Sequence, residues 1–250
     1  MKPLFLLLVC VTTIAYAGVI THRYSFEDDA ADSIVIDQAD GVLSNGVTVA
    51  DEQAVFPGGT GSSTTNTPLV FLPGKVWQNL SEASIEMWIT PNASVTHTYT
   101  PIANFKGSDG AFVAISPIQI QRPTYGGYKD INPGARICPG GVETHYVVTM
   151  KGTSMWLYVD GALFYEGAMN GDFLVPDSPG QECWLGKAYW NHEPAFVGTL
   201  NEFRMYDFAL SLEDVEENYD EGPDGDPVPE PFLASAVLIG FSLLLHRYLS

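Results

Sequence analysis

The stretch from Met155 to Tyr165 constrains the fold more than any other part of the chain. It places Asp160-Gly161 between two runs of apolar and aromatic residues. Asp-Gly favours a two-residue type I′ turn, because both central residues of that turn need a positive φ angle. A turn of this length fixes the register of a β-hairpin. The predicted cross-strand pairs are Val159–Ala162, Tyr158–Leu163, Leu157–Phe164 and Trp156–Tyr165.

Both faces of this predicted hairpin are apolar. Leu157, Val159, Ala162 and Phe164 share one face, and the other carries Trp156, Tyr158, Leu163 and Tyr165. A one-sided sheet needs only one apolar face. The pattern therefore favours a sandwich of two sheets in which the outer face of the hairpin is partly covered.

Composition agrees with a single all-β domain of short strands and tight turns. Hydrophobic residues make up 46% of the chain and charged residues only 16%, so the chain is not of the disordered class. Many aromatic residues accompany 24 Gly and 17 Pro, which is typical of strands separated by turns. The net charge of −19 argues against binding nucleic acid, since little in the chain would neutralise phosphates.

Residues 1–17 have the order of a secretory signal peptide. Lys2 precedes the apolar run Leu4–Ile14, and Ala15-Tyr16-Ala17 has the spacing of an A-x-A cleavage site. The mature chain is expected to begin at Gly18.

Export would decide which cysteines remain in the mature chain. Cys10 would leave with the signal peptide, so the exported chain would keep only Cys138 and Cys183. In an oxidising compartment these two can form a disulfide, and staying reduced is equally open. Nothing near them supplies the ligands of a zinc site.

One helix is predicted, over residues 211–219. Ser211 can cap it, and Asp214 stands at the capping-box position. Three apolar residues fall on one helix face that can dock on the sandwich: Leu212, Val215 and Tyr219.

The C-terminal part of the chain divides into a linker and an apolar segment. Residues 220–231 are mainly Asp, Glu, Gly and Pro, which predicts a flexible, solvated linker. Residues 232–250 are predicted to be a transmembrane segment with a basic end. Its apolar run, 232–245, would span roughly 21 Å as a helix, short of the ~30 Å hydrocarbon thickness. A basic end inside and an acidic domain outside agree with the positive-inside rule.

Pro229-Glu230-Pro231, the apolar segment and Arg247 together resemble a PEP-CTERM sorting tail. Such tails occur on exported proteins of Gram-negative bacteria, where an exosortase-type transpeptidase processes them at the membrane. The resemblance implies export through the inner membrane, an exosortase-type partner and membrane attachment before processing. The final place would be the cell surface or extracellular matrix. A GPI signal, disfavoured by Pro-Glu-Pro and the basic end, and a plain tail anchor are the alternatives.

Five motifs, in order, resemble those of a laminin-G-like jelly roll of the concanavalin A-like superfamily. They are His22–Phe26, Ser84–Ile89, His145–Thr149, Leu157–Gly161 and Gly198–Tyr206 followed by Ala209–Ser211. The resemblance implies an all-β, two-sheet antiparallel jelly-roll sandwich over residues 18–219. Lectins, glycosidases and adhesion modules share this fold, so the fold does not give the function.

The sequence predicts no catalytic site. A glycosidase needs two carboxylates about 5–10 Å apart across a sugar cleft. Glucanases of this superfamily carry Glu-x-Asp-x-Glu on one strand, and no strand here has that spacing. Two residues after Glu86 the strand has Trp88 instead of a second acid. Two residues after Glu202 it has Arg204, an expected ion-pair partner. Both acids are interpreted as structural.

The same resemblance implies one structural Ca²⁺ that joins the first and last strands. The matching positions are Glu27, Asp28, Asn201 and Glu202, and hard oxygen ligands of this kind suit calcium. Asn201 stands where the family motif usually has Asp, which removes a charge. The alternative is that these residues cap turns and pair with arginines.

Two predicted loops place aromatic residues where they can bind a sugar. One holds Tyr125 and Tyr128, and the other holds Tyr189, Trp190, Asn191 and His192. The alternative is that these rings cover the rim of the sandwich. We predict a non-catalytic, exported domain that binds an extracellular polysaccharide or surface glycan, or mediates adhesion. A secreted glycan-degrading hydrolase and a structural surface protein without a ligand are the alternatives.

Overall fold

A computed structural model describes residues 18–60, 66–97, 99–106, 112–124, 127–131, 136–169, 171–175 and 182–227. The predicted signal peptide, with Cys10, and the predicted sorting tail, with Pro229, Glu230, Pro231 and Arg247, lie outside these residues. Within the described ranges, no helix is long and apolar enough to cross a membrane.

The described residues form fifteen strands, a 3-10 helix at Gly74–Trp77 and one α-helix, α1, at Leu212–Glu221. In chain order the strands are β1 (Ile20–Tyr24), β2 (Val42–Ser44), β3 (Thr48–Ala50), β4 (Gln53–Thr60), β5 (Leu69–Leu72), β6 (Glu82–Pro91), β7 (Ala103–Lys106), β8 (Phe112–Ile115), β9 (Ile120–Thr124), β10 (Gly127–Ile131), β11 (Thr144–Lys151), β12 (Ser154–Val159), β13 (Ala162–Ala168), β14 (Glu182–Leu185) and β15 (Pro194–Tyr206).

Two antiparallel sheets pack face to face. The first sheet has the order β13-β12-β11-β6-β15-β4-β3, with β1 also paired to β15, and the second has the order β10-β9-β8-β7-β14-β5-β2. Alternate side chains of both sheets meet in one core that includes Tyr24, Phe56, Phe105, Tyr146 and Phe203. The predicted all-β sandwich of two antiparallel sheets is confirmed.

The hairpin of β12 and β13 begins as the sequence predicts. Asp160 and Gly161 have φ angles of 49° and 75°, as a type I′ turn requires. Val159 pairs with Ala162, and Tyr158 pairs with Leu163.

Beyond these two pairs the predicted register is wrong. Leu157 pairs with Tyr165 and Trp156 with Glu166, because Phe164 is an extra residue in β13. The side chain of Phe164 is 42% exposed, so it does not join the inner face of the hairpin. This β-bulge lies on an edge strand, where bulges are common.

Helix α1 covers part of the outer face of the first sheet. Ser211 and Asp214 form the predicted capping box. Val215 is fully buried in a second apolar cluster with Val147 and Tyr158 of the sheet. Leu212, in contrast, is 43% exposed, so the predicted docking face is narrower than expected.

The chain beyond α1 differs from the predicted linker. Helix α1 continues through Glu221. Arg204 Nη2 then donates hydrogen bonds to the carbonyl oxygens of Pro223, at 2.7 Å, and Gly225, at 2.9 Å. Arg23 Nη2 also donates to Pro223, at 3.2 Å. Residues 220–225 are therefore exposed or half-buried but hydrogen-bonded to two arginines of the sandwich.

Cys138 and Cys183 are buried free thiols, so of the two states that the sequence left open, disulfide and reduced, the structure has the reduced one. Cys183 pairs in register with Phe105, which pairs with Val113. The backbone N–H of Cys138 donates to Pro117 O, four residues beyond Val113. Cys183 of β14 and the connection after β8 that Cys138 contacts are thus two strand spacings, ~10 Å, apart. A disulfide needs Cα atoms within about 7 Å.

Candidate functional site

Glu86 lies on the outer face of the first sheet, beneath α1, and is fully buried. His145 Nε2 donates to Glu86 Oε1 at 2.8 Å, and the hydroxyl of Tyr206 donates to Glu86 Oε2 at 2.6 Å. Asn218 of α1 donates to the same Oε2 atom. Burial tends to raise the pKa of Glu86, but the His145 hydrogen bond and the charges of His145 and Arg204 outweigh it and lower that pKa.

Arg204 joins Glu86 to the second candidate acid, Glu202. Glu202 Oε1 accepts hydrogen bonds from Nε of Arg204 and from Nε of Arg23, each at 2.6 Å. The Arg204 guanidinium lies 3.5 Å from Glu86 Oε2 and 4.7 Å from the centroid of the Trp88 ring. Both acids therefore belong to a buried ion-pair network that fastens α1 and the following residues to the sheet.

The structure does not assemble the predicted calcium ligands. Glu27 and Asp28 are exposed after β1, and Asn201 donates to Glu143 Oε1 at 3.0 Å. Glu202 has two arginine partners, which would repel a cation. Within the described ranges, no group of three or more His, Cys, Asp or Glu residues could hold a metal ion.

The loop of residues 186–193, between β14 and β15, carries one predicted sugar-binding cluster. Tyr189 and Trp190 are half-buried and meet edge to face, with ring centroids 4.8 Å apart. Asn191 and His192 are exposed at the tip. Of the other predicted cluster, Tyr125 lies outside the described residues, and only the backbone of Tyr128, in β10, is described.

Four charged residues lie in this loop or on the neighbouring strands. Lys106 of β7 forms a 2.7 Å ion pair with Glu182 of β14, and its Nζ lies 5.4 Å from the Tyr189 ring centroid. Lys187 Nζ donates to Ala188 O at 2.8 Å and to Asn191 Oδ1 at 3.3 Å. Burial lowers the pKa of Lys187 and raises the pKa of Glu193 to about 7. The loop therefore combines aromatic faces with hydrogen-bonding groups of little net charge.

A row of side chains on the outer face of the second sheet lies beside this loop. Register places Phe71, Trp184, Asn104 and Ala114 next to one another across β5, β14, β7 and β8. Trp184 and Asn104 are buried, whereas Phe71 is 40% exposed. Lys187 Nζ lies 4.6 Å from the centroid of the Trp184 ring.

Sequence reasoning missed this row. Asn104 and Trp184 stand in different, distant motifs, and only strand pairing brings them together. The one available signal was the alternation of β14, in which Cys183 and Leu185 point into the core and Trp184 points away from it.

Comparison with known proteins supports the fold. Residues 59–216 match the laminin-G family model described as the concanavalin A-like lectin/glucanases superfamily. Domain 4 of AbnA, a GH43 extracellular arabinanase from Geobacillus stearothermophilus, in complex with arabinotriose, is 22% identical with a TM-score of 0.64. That match covers 80% of this chain and 98% of the arabinanase domain.

Two further solved structures show the range of proteins that share the fold. The binding domain of Paraclostridial Mosquitocidal Protein 1 is 16% identical, with a TM-score of 0.59 over 80% of this chain and 51% of that one. A Trypanosoma rangeli sialidase in complex with sialic acid is 12% identical, with a TM-score of 0.53 over 80% and 32%. At such identities the likeness shows the fold alone. No curated protein sequence matches the chain.

Proposed function

The chain belongs to the concanavalin A-like lectin/glucanases superfamily, and from this premise we propose that it is an exported, non-catalytic domain that binds glycan. The observation that carries the proposal is loop 186–193. Its half-buried Tyr189 and Trp190 rings lie beside the exposed Asn191 and His192. An aromatic face can stack on the C–H face of a sugar ring, while amide and imidazole groups bind its hydroxyls.

The electrostatics of the loop favour a neutral glycan. Lys106 and Glu182 neutralise each other in their ion pair. Burial raises the pKa of Glu193 to about 7, so at neutral pH it carries part of a negative charge, which opposes the positive charge of Lys187. The whole chain has a net charge of −19, which repels acidic polymers at long range. Since one domain of the same fold is in complex with arabinotriose, pentose oligosaccharides come first in the test.

The non-catalytic part of the proposal is supported by the burial of the two strand acids. Glu86 is 0% exposed and Glu202 is 1% exposed. Asn218 of α1 donates a hydrogen bond to Glu86, and two arginines bind Glu202. A substrate could reach Glu86 only if α1 left the sheet, and Glu202 only if its two arginines moved away.

The test is binding of the purified full chain to arabinan, xylan and β-glucan by affinity electrophoresis, with reducing ends assayed in the same samples. We expect retardation by at least one neutral polymer and no release of reducing ends. Trp190→Ala should abolish the retardation, whereas Phe164→Ala, which changes an exposed aromatic on the other sheet, should leave it intact. No retardation by any polymer, or equal retardation of both variants, would contradict the proposal.

A second candidate is a hydrolase that uses Glu193. A glutamic acid with a pKa near 7 suits a general acid at neutral pH. Release of reducing ends by the wild type, and its loss in Glu193→Gln with binding retained, would favour this hydrolase over the binding domain.

Export and sorting are proposed from the sequence of the two ends. Residues 1–17 would direct export, and Pro229-Glu230-Pro231 with the apolar segment would be processed by an exosortase-type enzyme, leaving the domain at the cell surface or in the matrix. Intact-mass measurement on protein from a host with that enzyme should show the residues after Pro231 removed. In a host without it, the protein should keep its tail and stay with the membrane. A complete C-terminus on mature surface protein from the native host would overturn this proposal.

A further inference from the structure

Asn104 and Trp184 bury polar atoms that have no hydrogen-bond partner within the part of the chain that the structure describes. The two residues are cross-strand neighbours in β7 and β14, and they are 0% and 3% exposed. Among the described residues, nothing hydrogen-bonds to the amide nitrogen or amide oxygen of Asn104 or to Nε1 of Trp184. Buried polar groups are nearly always satisfied, so three unsatisfied atoms on adjacent residues of one sheet face need an explanation.

Lys187 lies over the Trp184 ring. Its Nζ lies 4.6 Å from the centroid of the Trp184 ring, and its side chain is almost fully buried. Its hydrogen bonds go to Ala188 and Asn191 of its own loop. The lysine can therefore move with the loop and expose the Trp184 ring without breaking a hydrogen bond to the sheet.

We propose that Asn104 and Trp184 form a buried subsite for one neutral sugar ring, and that Lys187 covers the subsite until a glycan displaces it. This subsite rests on the proposed glycan-binding function and gives that function its substrate class. The sugar ring takes the stacking position that Lys187 holds on Trp184.

The unsatisfied atoms match the groups of a neutral sugar. A pair of vicinal hydroxyls offers a donor to the amide oxygen of Asn104 and an acceptor to its amide nitrogen. The indole N–H of Trp184 donates to a third oxygen. A carboxylated sugar fits poorly, because neither residue would compensate the desolvation of a buried charge.

A longer glycan would extend from the subsite toward Phe71. Ala114, on the far side of Asn104, is itself buried. Phe71, on the far side of Trp184, is 40% exposed and extends the aromatic surface toward the sheet edge. The bound glycan would therefore cross the strands, with one ring in the subsite and the next on Phe71.

The experiment follows the indole N–H signals of the full chain by NMR. The chain has five tryptophans, and Trp184→Phe and Trp190→Phe identify two of the five signals. The probes are arabinotriose, xylotriose and, as an acidic control, trigalacturonate. Both neutral probes are tested, and with at least one of them we expect the Trp184 signal to shift, whereas trigalacturonate should leave it in place.

Two variants test the geometry. Asn104→Leu removes the amide at similar volume and should weaken binding at least tenfold, while its Tm stays at or above that of the wild type. Lys187→Ala uncovers Trp184 and should tighten binding several-fold.

The outcomes separate this subsite from the proposed function. If the Trp190 signal shifts but the Trp184 signal does not, or if folded Asn104→Leu binds as the wild type does, the subsite is wrong and the loop site stands. If neither signal of the wild type shifts with any probe, glycan binding fails and the subsite fails with it.

Discussion

Arg204→Met tests the buried network beneath α1. The Arg204 side chain is fully buried and bonds to Glu202, to the carbonyl oxygens of Pro223 and Gly225, and lies near Glu86. Methionine fills similar volume but leaves these groups without their cation. Removal of one partner from a buried ion pair costs about 3–5 kcal/mol. A domain of this size loses about 2–4 °C of Tm per kcal/mol, so the Tm should fall by roughly 6–20 °C.

The matched control is Lys151→Met, which breaks the surface ion pair of Lys151 with Glu82, a pair of 2.7 Å whose lysine side chain is 58% exposed. Exposed pairs contribute about 0–1 kcal/mol, so this variant should melt within a few degrees of the wild type. Calorimetry on both variants at neutral pH gives the comparison. If Arg204→Met loses no more stability than Lys151→Met, the network does not hold the fold as argued.

Three further predictions follow from other parts of the structure. A thiol reagent should label neither Cys138 nor Cys183 in the native protein, because burial raises the pKa of both thiols. In protein unfolded without reductant the reagent should label both cysteines, and an oxidised pair would contradict the free thiols. Burial raises the pKa of Glu193 from 4.5 to about 7, so the folded state binds the proton more tightly. The free energy of unfolding should therefore fall as pH rises from about 4.5 to about 7, by at most about 3 kcal/mol relative to Glu193→Gln. Parallel pH profiles of the two proteins would refute this. Gly152 and Gly161 both have positive φ, but of these two only Gly161 would place a new Cβ against Tyr219, at 2.9 Å. Gly161→Ala should therefore cost more stability in denaturant titration than Gly152→Ala, and equal costs would count against that contact.

Features that depend on neighbours in the sequence were predictable. The Asp160-Gly161 turn and the Ser211–Asp214 capping box each arise within a few residues, and both are present. The bulge at Phe164 was not predictable, because it depends on how the edge strand pairs with β12 and packs, and not on the turn. The register beyond the bulge was therefore wrong.

The same distinction holds for the candidate site. Tyr189 and Trp190 are adjacent in the sequence, so their cluster could be identified. The ion pair of Lys106 and Glu182 joins residues 76 positions apart, and the pairing of β7 with β14 alone creates it. The calcium prediction has a similar limit, since a family motif placed Glu202 on the last strand but could not show that arginines bind it.

The hydrogen bonds from Arg204 to Pro223 and Gly225 also limit the distance between the folded domain and the apolar run that begins at Phe232. Pro227 is still buried, and the apolar run begins at Phe232, so residues 228–231 are all that separate the two. Even fully extended, these four residues would span less than about 20 Å between Pro227 and Phe232. On a chain anchored by its apolar run, the folded domain would stand almost against the lipid headgroups. An enzyme that cuts after Pro231 would have to work inside that narrow gap.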